Sequence, residues 1–160
     1  AVFQQWEKTT GEAYLWGAFR EVSELYAGVK EGEYNQAALK AVPRAADTVY
    51  AEWVSFLSSL PPHVQPILVT SGIREVWEGV LCAKGLNPGM WLIAGNILAR
   101  HSFLVTAGAK GDIARWLKGA DKRVVAFGDS AGDVDMLKEA HLACVALGPK
   151  LNECPPLSQT

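Results

Sequence analysis

The sequence VVAFGDSAGDVDML occupies residues 124–137. It opens with four apolar residues, which is typical of a buried β-strand. The strand runs into Gly128 and Asp129, and a second carboxylate, Asp133, follows at the predicted start of a helix. A buried strand that passes through a short acidic turn into a helix is a building unit of α/β folds. This stretch therefore predicts the fold class and marks a place where polar groups gather.

Strands and helices are predicted to alternate on both sides of this stretch. The predicted segments are strands in 66–72 and 142–148, a hairpin in 90–100 turned at Gly95 and Asn96, a strand at 102–105, and helices in 73–85, 111–118 and 133–140. Buried-type strands separated by helices predict a doubly wound, mainly parallel, Rossmann-like sheet. Such sheets bind ligands at the carboxyl ends of their strands.

The first part of the chain has a different pattern. A strand is predicted in residues 1–3, and apolar residues then recur every three or four positions through residues 12–61, as amphipathic helices require. Two consecutive prolines close this segment. The sequence thus predicts an α/β core built from residues 1–11 and 62–160, with a helical insertion at 12–61.

Composition excludes several classes of function. The 160-residue chain carries a net charge of -2 with scattered basic residues, so nucleic acid and anionic membranes are not expected partners. No apolar run approaches the roughly 20 residues that span a bilayer. Three widely spaced cysteines argue against a disulfide framework and favour a cytoplasmic location, with Cys82 and Cys144 as small core residues. The expected partner is a small molecule, and the oligomeric state stays open.

The acidic turn at 128–133 has two interpretations. Asp129 and Asp133 are four residues apart at a strand end, and paired carboxylates there suit a hard cation such as Mg²⁺. The alternative is structural, with Asp133 as a helix N-cap and Asp129 as a turn residue.

Two further polar positions follow predicted strands. Ser71 and Gly72 end the strand at 66–72, where a hydroxyl and backbone N–H groups at a helix N-terminus form an anion site. The structural alternative is a serine N-cap. Lys110 precedes the helix predicted at 111–118, where an ammonium group can neutralise a phosphate or hold a carboxylate. The alternative is an ordinary surface lysine.

Together and in this order, these motifs resemble those of the haloacid dehalogenase-like superfamily, and in detail its phosphoserine-phosphatase-like branch. That family places a Ser or Thr after one strand, here Ser71, then a lysine, here Lys110, and then G-D-x-x-x-D, here GDSAGD at 128–133. The resemblance covers essentially the whole chain. It implies that the insertion at 12–61 is the family's small helical cap, which closes over the substrate.

The first motif of the family, D-x-D-x-[TV] after the first strand, is not matched. The only D-x-D in the sequence lies at 133–135, in a predicted helix. Placing AVF in the family's register puts Gln5 at the nucleophilic aspartate, Glu7 at the general acid and base, and Thr9 at the Thr or Val position. The Gln5 amide is a poor nucleophile, so transfer through an acyl phosphate is expected to fail.

The exchanged motif and the remaining motifs define the predicted site. Its catalytic residues are Gln5, Glu7, Ser71, Lys110 and Asp129. Its substrate-contacting residues are Trp6, Thr9, Trp16, Phe19, Trp53 and Gly72. Asp129 and Asp133 are left as the ligands of a weak or absent Mg²⁺ site, and no cofactor is required. Tryptophans near this loop and in the cap favour an apolar ligand over a small phosphate ester.

Three functions are compatible with this site. The favoured one is a repurposed enzyme that shapes or protonates an apolar organic molecule, in a cyclisation or isomerisation that needs no nucleophile or metal. The second is a non-catalytic, small-molecule-binding pseudo-phosphatase, in which Lys110, Asp129 and Asp133 persist as an ion-pair network. The third is a Mg²⁺-dependent phosphomonoesterase, which requires a different register for the first motif.

Overall fold

The computed structural model describes residues 4–5, 8–9, 16–95 and 104–146. The chain divides into two compact units, one of residues Val22–Leu104 and one of residues Ala1–Glu21 with Val105–Thr160. The helix α1 (Trp16–Glu24) includes the boundary between them. No helix in the described ranges combines the length and the apolar content that crossing a membrane would need.

The Val22–Leu104 unit contains a parallel strand pair and three helices of its own. Its elements are α2 (Glu31–Asp47), α3 (Ala51–Ser58), β1 (Ile67–Ile73), α4 (Arg74–Ala83) and β2 (Trp91–Gly95). Strand β1 pairs with β2 in parallel, with Ile67 opposite Trp91 and Thr70 opposite Ala94. A parallel pair needs a long crossover, and α4 provides it.

Helices α2 and α4 pack closely in this unit. A Cβ added at Gly79 would lie 2.5 Å from Cγ2 of Val42, so the missing side chain lets the two helices approach. Tyr34 of α2 and Val80 of α4 are both buried. The helix pair therefore supplies a large part of the core of this unit.

The other unit repeats the strand, helix and strand order. Its elements are α5 (Ala107–Gly119), β3 (Val125–Gly128), a 3₁₀ turn (Ala131–Asp133), α6 (Val134–Glu139) and β4 (Leu142–Val145). Strands β3 and β4 are parallel, with Val125 opposite Leu142. Ala126 of β3 and Leu137 of α6 are buried together, and Val145 packs against them. The acidic turn is thus placed at the carboxyl end of β3.

The predicted α/β class is confirmed. The apolar runs in 66–72, 124–128 and 142–148 correspond to β1, β3 and β4, and the first half of the predicted hairpin corresponds to β2. Continuous apolar runs are expected for parallel strands covered on both faces, but Val125 and Phe127 of β3 are 45% and 40% exposed. Within the described residues the strands form two separate parallel pairs and not one continuous sheet.

The beginning of the chain differs from the prediction of a strand end and loop. Residues 4–5 and 8–9 are helical, and Thr9 Oγ1 donates a hydrogen bond of 3.1 Å to the Gln5 carbonyl, four residues earlier. Three apolar residues are too few to distinguish a strand from a buried helix segment, so the sequence could not decide this. The strand predicted at 1–3 lies outside the described residues.

Smaller differences concern the hairpin, the strand at 102–105 and the cysteines. Asn96 and the second half of the hairpin lie outside the described residues, and Leu104 and Val105 are described but are not in a strand. Cys82 is exposed, so its prediction as a core residue was wrong. Val80 and Leu81 occupy the buried side of α4, and Cys82 falls outside it. The division into a core and a cap at 12–61 stays a prediction.

Candidate functional site

A buried ion pair joins α5 to the turn that follows β3. Lys110 Nζ lies 2.7 Å from Asp133 Oδ1, and the two side chains are only 11% and 8% exposed. Removing two charges from water costs several kcal/mol per ion, so each charge depends on its partner. Both residues were predicted to belong to the site, and the structure brings them into contact.

Lys110 was predicted to precede the helix, but it lies within the first turn of α5. Thr106 is the N-cap, and its Oγ1 accepts a hydrogen bond of 3.2 Å from the backbone N–H of Ala109. The helix therefore begins at Ala107 and not at residue 111. The small residues at 107–109 carry no amphipathic signal, which is why the pattern missed them.

The second oxygen of Asp133 holds the acidic turn together. Oδ2 accepts hydrogen bonds from the backbone N–H groups of Asp129 and Ser130, both at 3.2 Å, and from Ser130 Oγ at 2.8 Å. The backbone N–H of Asp133 in turn donates to the Ser130 carbonyl at 3.0 Å. Ser130 and Asp133 thus form a capping box for the 3₁₀ turn. Asp133 makes no side-chain cap to α6, the helix that it was predicted to cap.

These contacts keep Asp133 ionised. Burial by itself raises the pKa of this carboxyl, but the hydrogen bond and charge of Lys110, with the hydrogen bond from Ser130, outweigh it and lower the pKa below the ordinary value. An ionised carboxylate that accepts several hydrogen bonds is stabilised in its charged form. Asp133 is therefore a fixed anion inside the turn.

Gly128 and Asp129 connect β3 to this turn. A Cβ added at Gly128 would lie 2.5 Å from Cβ of Asp133, so only glycine allows the turn to fold back this closely. Asp129 follows directly. Its backbone N–H donates to Oδ2 of Asp133, and the residue is exposed. The arrangement fixes the backbone of Asp129 and presents its carboxylate to solvent.

The predicted Mg²⁺ ligands do not fit a metal site on their own. Lys110 and Ser130 engage both side-chain oxygens of Asp133, which leaves Asp129 as the accessible carboxylate of the turn. Within the described ranges, no group of three His, Cys, Asp or Glu side chains is placed to hold a metal ion. Mg²⁺ prefers several oxygen ligands at octahedral positions. Asp129 and Asp133 alone therefore do not complete a Mg²⁺ site.

Ser71 and Gly72 lie at the end of β1, in the Val22–Leu104 unit. The strand continues to Ile73, its pairing with β2 is irregular between Thr70 and Ile73, and the Gly72 N–H donates to Thr70 Oγ1 at 3.0 Å. Ile73 is the N-cap of α4 and provides no side-chain cap. The alternative of Ser71 as a helix N-cap is therefore wrong. Its role in binding an anion stays a prediction.

The other predicted residues are placed individually. Trp16 is 57% exposed beneath the Arg20 guanidinium, which lies 5.4 Å from the ring centroid. Phe19 is buried, and Trp53 packs edge-to-face on Phe56 at 5.6 Å between ring centroids. Their contact with a substrate stays a prediction.

The first-motif residues are only partly described. Gln5 and Thr9 are exposed helical positions, whereas Trp6 and Glu7 lie outside the described residues. The roles of Gln5 and Glu7 in catalysis and of Trp6 and Thr9 in substrate contact stay predictions.

Sequence reasoning missed Ser130. Its backbone and hydroxyl both bind Asp133, so it is as much a part of the turn as the carboxylate. The spacing of a serine and an acidic residue three positions later resembles the capping-box signature and was the available signal.

The family comparison agrees with this arrangement. The sequence model of the haloacid dehalogenase-like hydrolases matches residues 3–138, which is most of the chain. The chain belongs to this family. The matched range of the haloacid dehalogenase-like domain includes Ser71, Lys110, Asp129 and Asp133, so the superfamily that the motifs resembled is confirmed. Among curated proteins, none matches the chain. The phosphoserine-phosphatase-like branch and the exchanged first motif stay predictions.

Proposed function

We propose that this haloacid dehalogenase-like protein acts on an apolar organic small molecule without forming a phosphorylated aspartate, in a non-hydrolytic reaction such as cyclisation or isomerisation. One observation carries the proposal. The only D-x-D of the sequence begins at Asp133, whose carboxylate is buried and engaged by Lys110 and Ser130. This D-x-D therefore does not replace the first motif, and the family's register puts Gln5, whose neutral amide is a poor nucleophile, at the position of the nucleophilic aspartate.

The remaining polar groups support acid and base chemistry. An isomerisation or cyclisation removes a proton from one atom and returns a proton to another, which positioned carboxyl groups can carry out without a nucleophile. Asp129 is exposed, and the turn fixes its backbone. Glu7 and Asp129 are the proposed acid and base groups. Lys110 is proposed to hold the acidic turn in place through Asp133, and no cofactor is required.

The test begins with hydrolysis of a generic aryl phosphate by the whole chain, with and without Mg²⁺. We expect no hydrolysis above the buffer rate. A thermal-shift screen of apolar organic acids, alcohols and olefins then identifies ligands. Turnover of each ligand is followed by liquid chromatography with mass spectrometry, as a product of unchanged mass and different retention time. Asp129→Asn should abolish turnover.

Asp112→Asn serves as the matched control. Asp112 is an exposed carboxylate of the same unit, paired with Arg115 at 2.6 Å, so its replacement should leave turnover unchanged. Mg²⁺-dependent aryl phosphate hydrolysis that disappears in Asp129→Asn would refute the proposal and establish the phosphomonoesterase instead.

A second candidate is a non-catalytic pseudo-phosphatase that binds a small molecule. It is supported by the commitment of Lys110 and Asp133 to each other, since such a pair can serve the fold alone. A ligand that raises the melting temperature but is recovered unchanged would favour this candidate.

A further inference from the structure

His141 joins the amino ends of β3 and β4 through its side chain as well as its backbone. Its Nδ1 accepts a hydrogen bond of 3.0 Å from the backbone N–H of Val124, the residue before β3. The backbone N–H groups of His141 and Leu142 donate to the Val124 carbonyl at 2.9 and 3.2 Å. Both backbone groups of Val124 are therefore hydrogen-bonded just before the strand pairing begins at Val125 and Leu142.

The hydrogen bond to Nδ1 requires one protonation state of the imidazole. A ring nitrogen accepts a hydrogen bond only when it carries no proton, so the ring must be neutral, with its proton on Nε2. A second proton would occupy Nδ1 and place two N–H donors opposite each other, which breaks the bond to Val124. Histidine is the side chain that ordinarily changes its charge between about pH 5 and 8. The bond therefore depends on pH in the physiological range.

The charged groups around His141 do not compensate for the loss of this bond. Strand β4 packs chiefly against β3 and α6. The charged residues of α6 and of the segment that leads into β3 are Asp121, Lys122, Arg123, Asp135, Lys138 and Glu139. Glu139 is engaged by Arg115 at 2.8 Å, and in the part of the chain that the structure describes no carboxylate forms an ion pair with His141. Protonation thus removes one contact and provides no ion pair in its place.

We propose that His141 is a pH-sensitive switch in the strand pair, whose neutral ring holds the start of β3 and whose protonated ring releases it. The proton breaks a contact that exists only in the folded chain, so acid destabilises the folded state relative to the unfolded state. Asp133 does not contribute in this range, because its pKa lies below 3.8. Strand β3 leads into the acidic turn at its other end, but the inference does not depend on the reaction proposed above.

Amide hydrogen exchange of Val124, followed by NMR on the whole chain at about pH 7.5 and about pH 5.5, tests the proposal. After correction for the intrinsic exchange rate, we expect the protection factor of this N–H to fall roughly three- to tenfold at the lower pH, as the loss of one hydrogen bond predicts. The ring nitrogen chemical shifts of His141 provide a second readout. At the higher pH they should show a proton on Nε2 and none on Nδ1.

His141→Asn separates the hydrogen bond from the titration, because an amide oxygen accepts the Val124 N–H at either pH and takes up no proton. In this variant the protection factor of Val124 should change less than about twofold between the two pH values. His63→Asn is the matched control, since it removes another exposed histidine and should keep the full fall.

Three results would overturn the proposal: a proton on Nδ1 of His141 at the higher pH, equal protection of Val124 at both pH values in the unmodified chain, or an equal fall in His141→Asn. The first two are measured on the unmodified chain, so they decide the question even if the variant does not fold.

Discussion

At the scale of single residues, the main feature of the acidic turn is the Lys110–Asp133 pair. The two charges are nearly buried and lie 2.7 Å apart, and Asp133 has three further hydrogen-bond contacts with the turn. A buried ion pair adds little net stability compared with apolar residues, but loss of one partner leaves an unpaired charge in the interior. The pair thus fixes a geometry more than it raises stability.

Lys110→Met should lower the free energy of unfolding by about 3 kcal/mol, because Asp133 then keeps a buried charge without its partner. Urea unfolding measures the loss. The double variant Lys110→Met with Asp133→Asn should recover part of it, since the unpaired charge is gone. Lys122→Met, at an exposed position, should change stability by less than about 0.5 kcal/mol. A loss of that small size in Lys110→Met would show that the pair is not buried.

Acid should unfold the protein partly through Asp133. Its pKa is lower in the folded chain than the ordinary 3.8, so its contribution is present above that value and is lost as the pH falls below it. We expect the unfolding free energy to fall less steeply with acid in Asp133→Asn than in the unmodified chain. Parallel slopes for the two proteins in urea titrations at successive pH values would contradict this.

Alkali should act through Tyr34. Its pKa is raised from 10.0 to about 12 in the folded chain, so above pH 10 the unfolded chain loses this proton first. Stability should therefore decline as the pH rises from 10 towards 12. The decline should be smaller in Tyr34→Phe, as measured by urea titrations in alkaline buffers. An identical decline in both proteins would assign the effect to other groups.

At the scale of elements, the acidic turn depends on the passage from β3 through Gly128 into the 3₁₀ turn. The apolar runs predicted the strands well, because β-branched and aromatic residues favour strands, although β3 and β4 are only partly buried. Local chemistry was harder to predict. The start of α5 depends on one hydroxyl of Thr106, and the turn depends on Ser130, and neither contact leaves a periodic signal. An ion-pair network of Lys110, Asp129 and Asp133 was one of the predicted alternatives, and the structure shows the Lys110–Asp133 pair.

Gly128→Ala should disrupt this turn. The added Cβ would lie 2.5 Å from Cβ of Asp133, and overpacking of this kind costs about 1–3 kcal/mol. Gly119→Ala is the matched control, because nothing lies within 4 Å of its Cβ position at the end of α5. Thermal melting of both variants gives the comparison, and equal melting temperatures would mean that the turn relaxes freely.

At the scale of the whole molecule, family membership and site chemistry give different information. The match over residues 3–138 establishes the haloacid dehalogenase-like family, but a fold of this kind supports many reactions. The predicted metal ligands illustrate the difference. Asp133 is bound within the turn by Lys110, and Asp129 is the carboxylate left exposed.

Mg²⁺ should therefore leave the melting temperature of the whole chain unchanged, relative to chelator, within about 1 °C, as expected for a ligand that does not bind the native state. Differential scanning fluorimetry with Mg²⁺ and with EDTA makes the measurement. A larger rise that is lost in Asp129→Asn but kept in Asp112→Asn would demonstrate a metal site at the turn.

The end of β1 has an optical consequence. The indole of Trp77 lies so close over Gly72 that a methyl group there would collide with its Nε1. We therefore expect its emission to change when a ligand binds at Ser71, the neighbouring residue. A variant in which the other five tryptophans are replaced by phenylalanine would turn this indole into a fluorescent reporter of binding at the strand end. Titration of an anion such as inorganic phosphate would then be followed without a label.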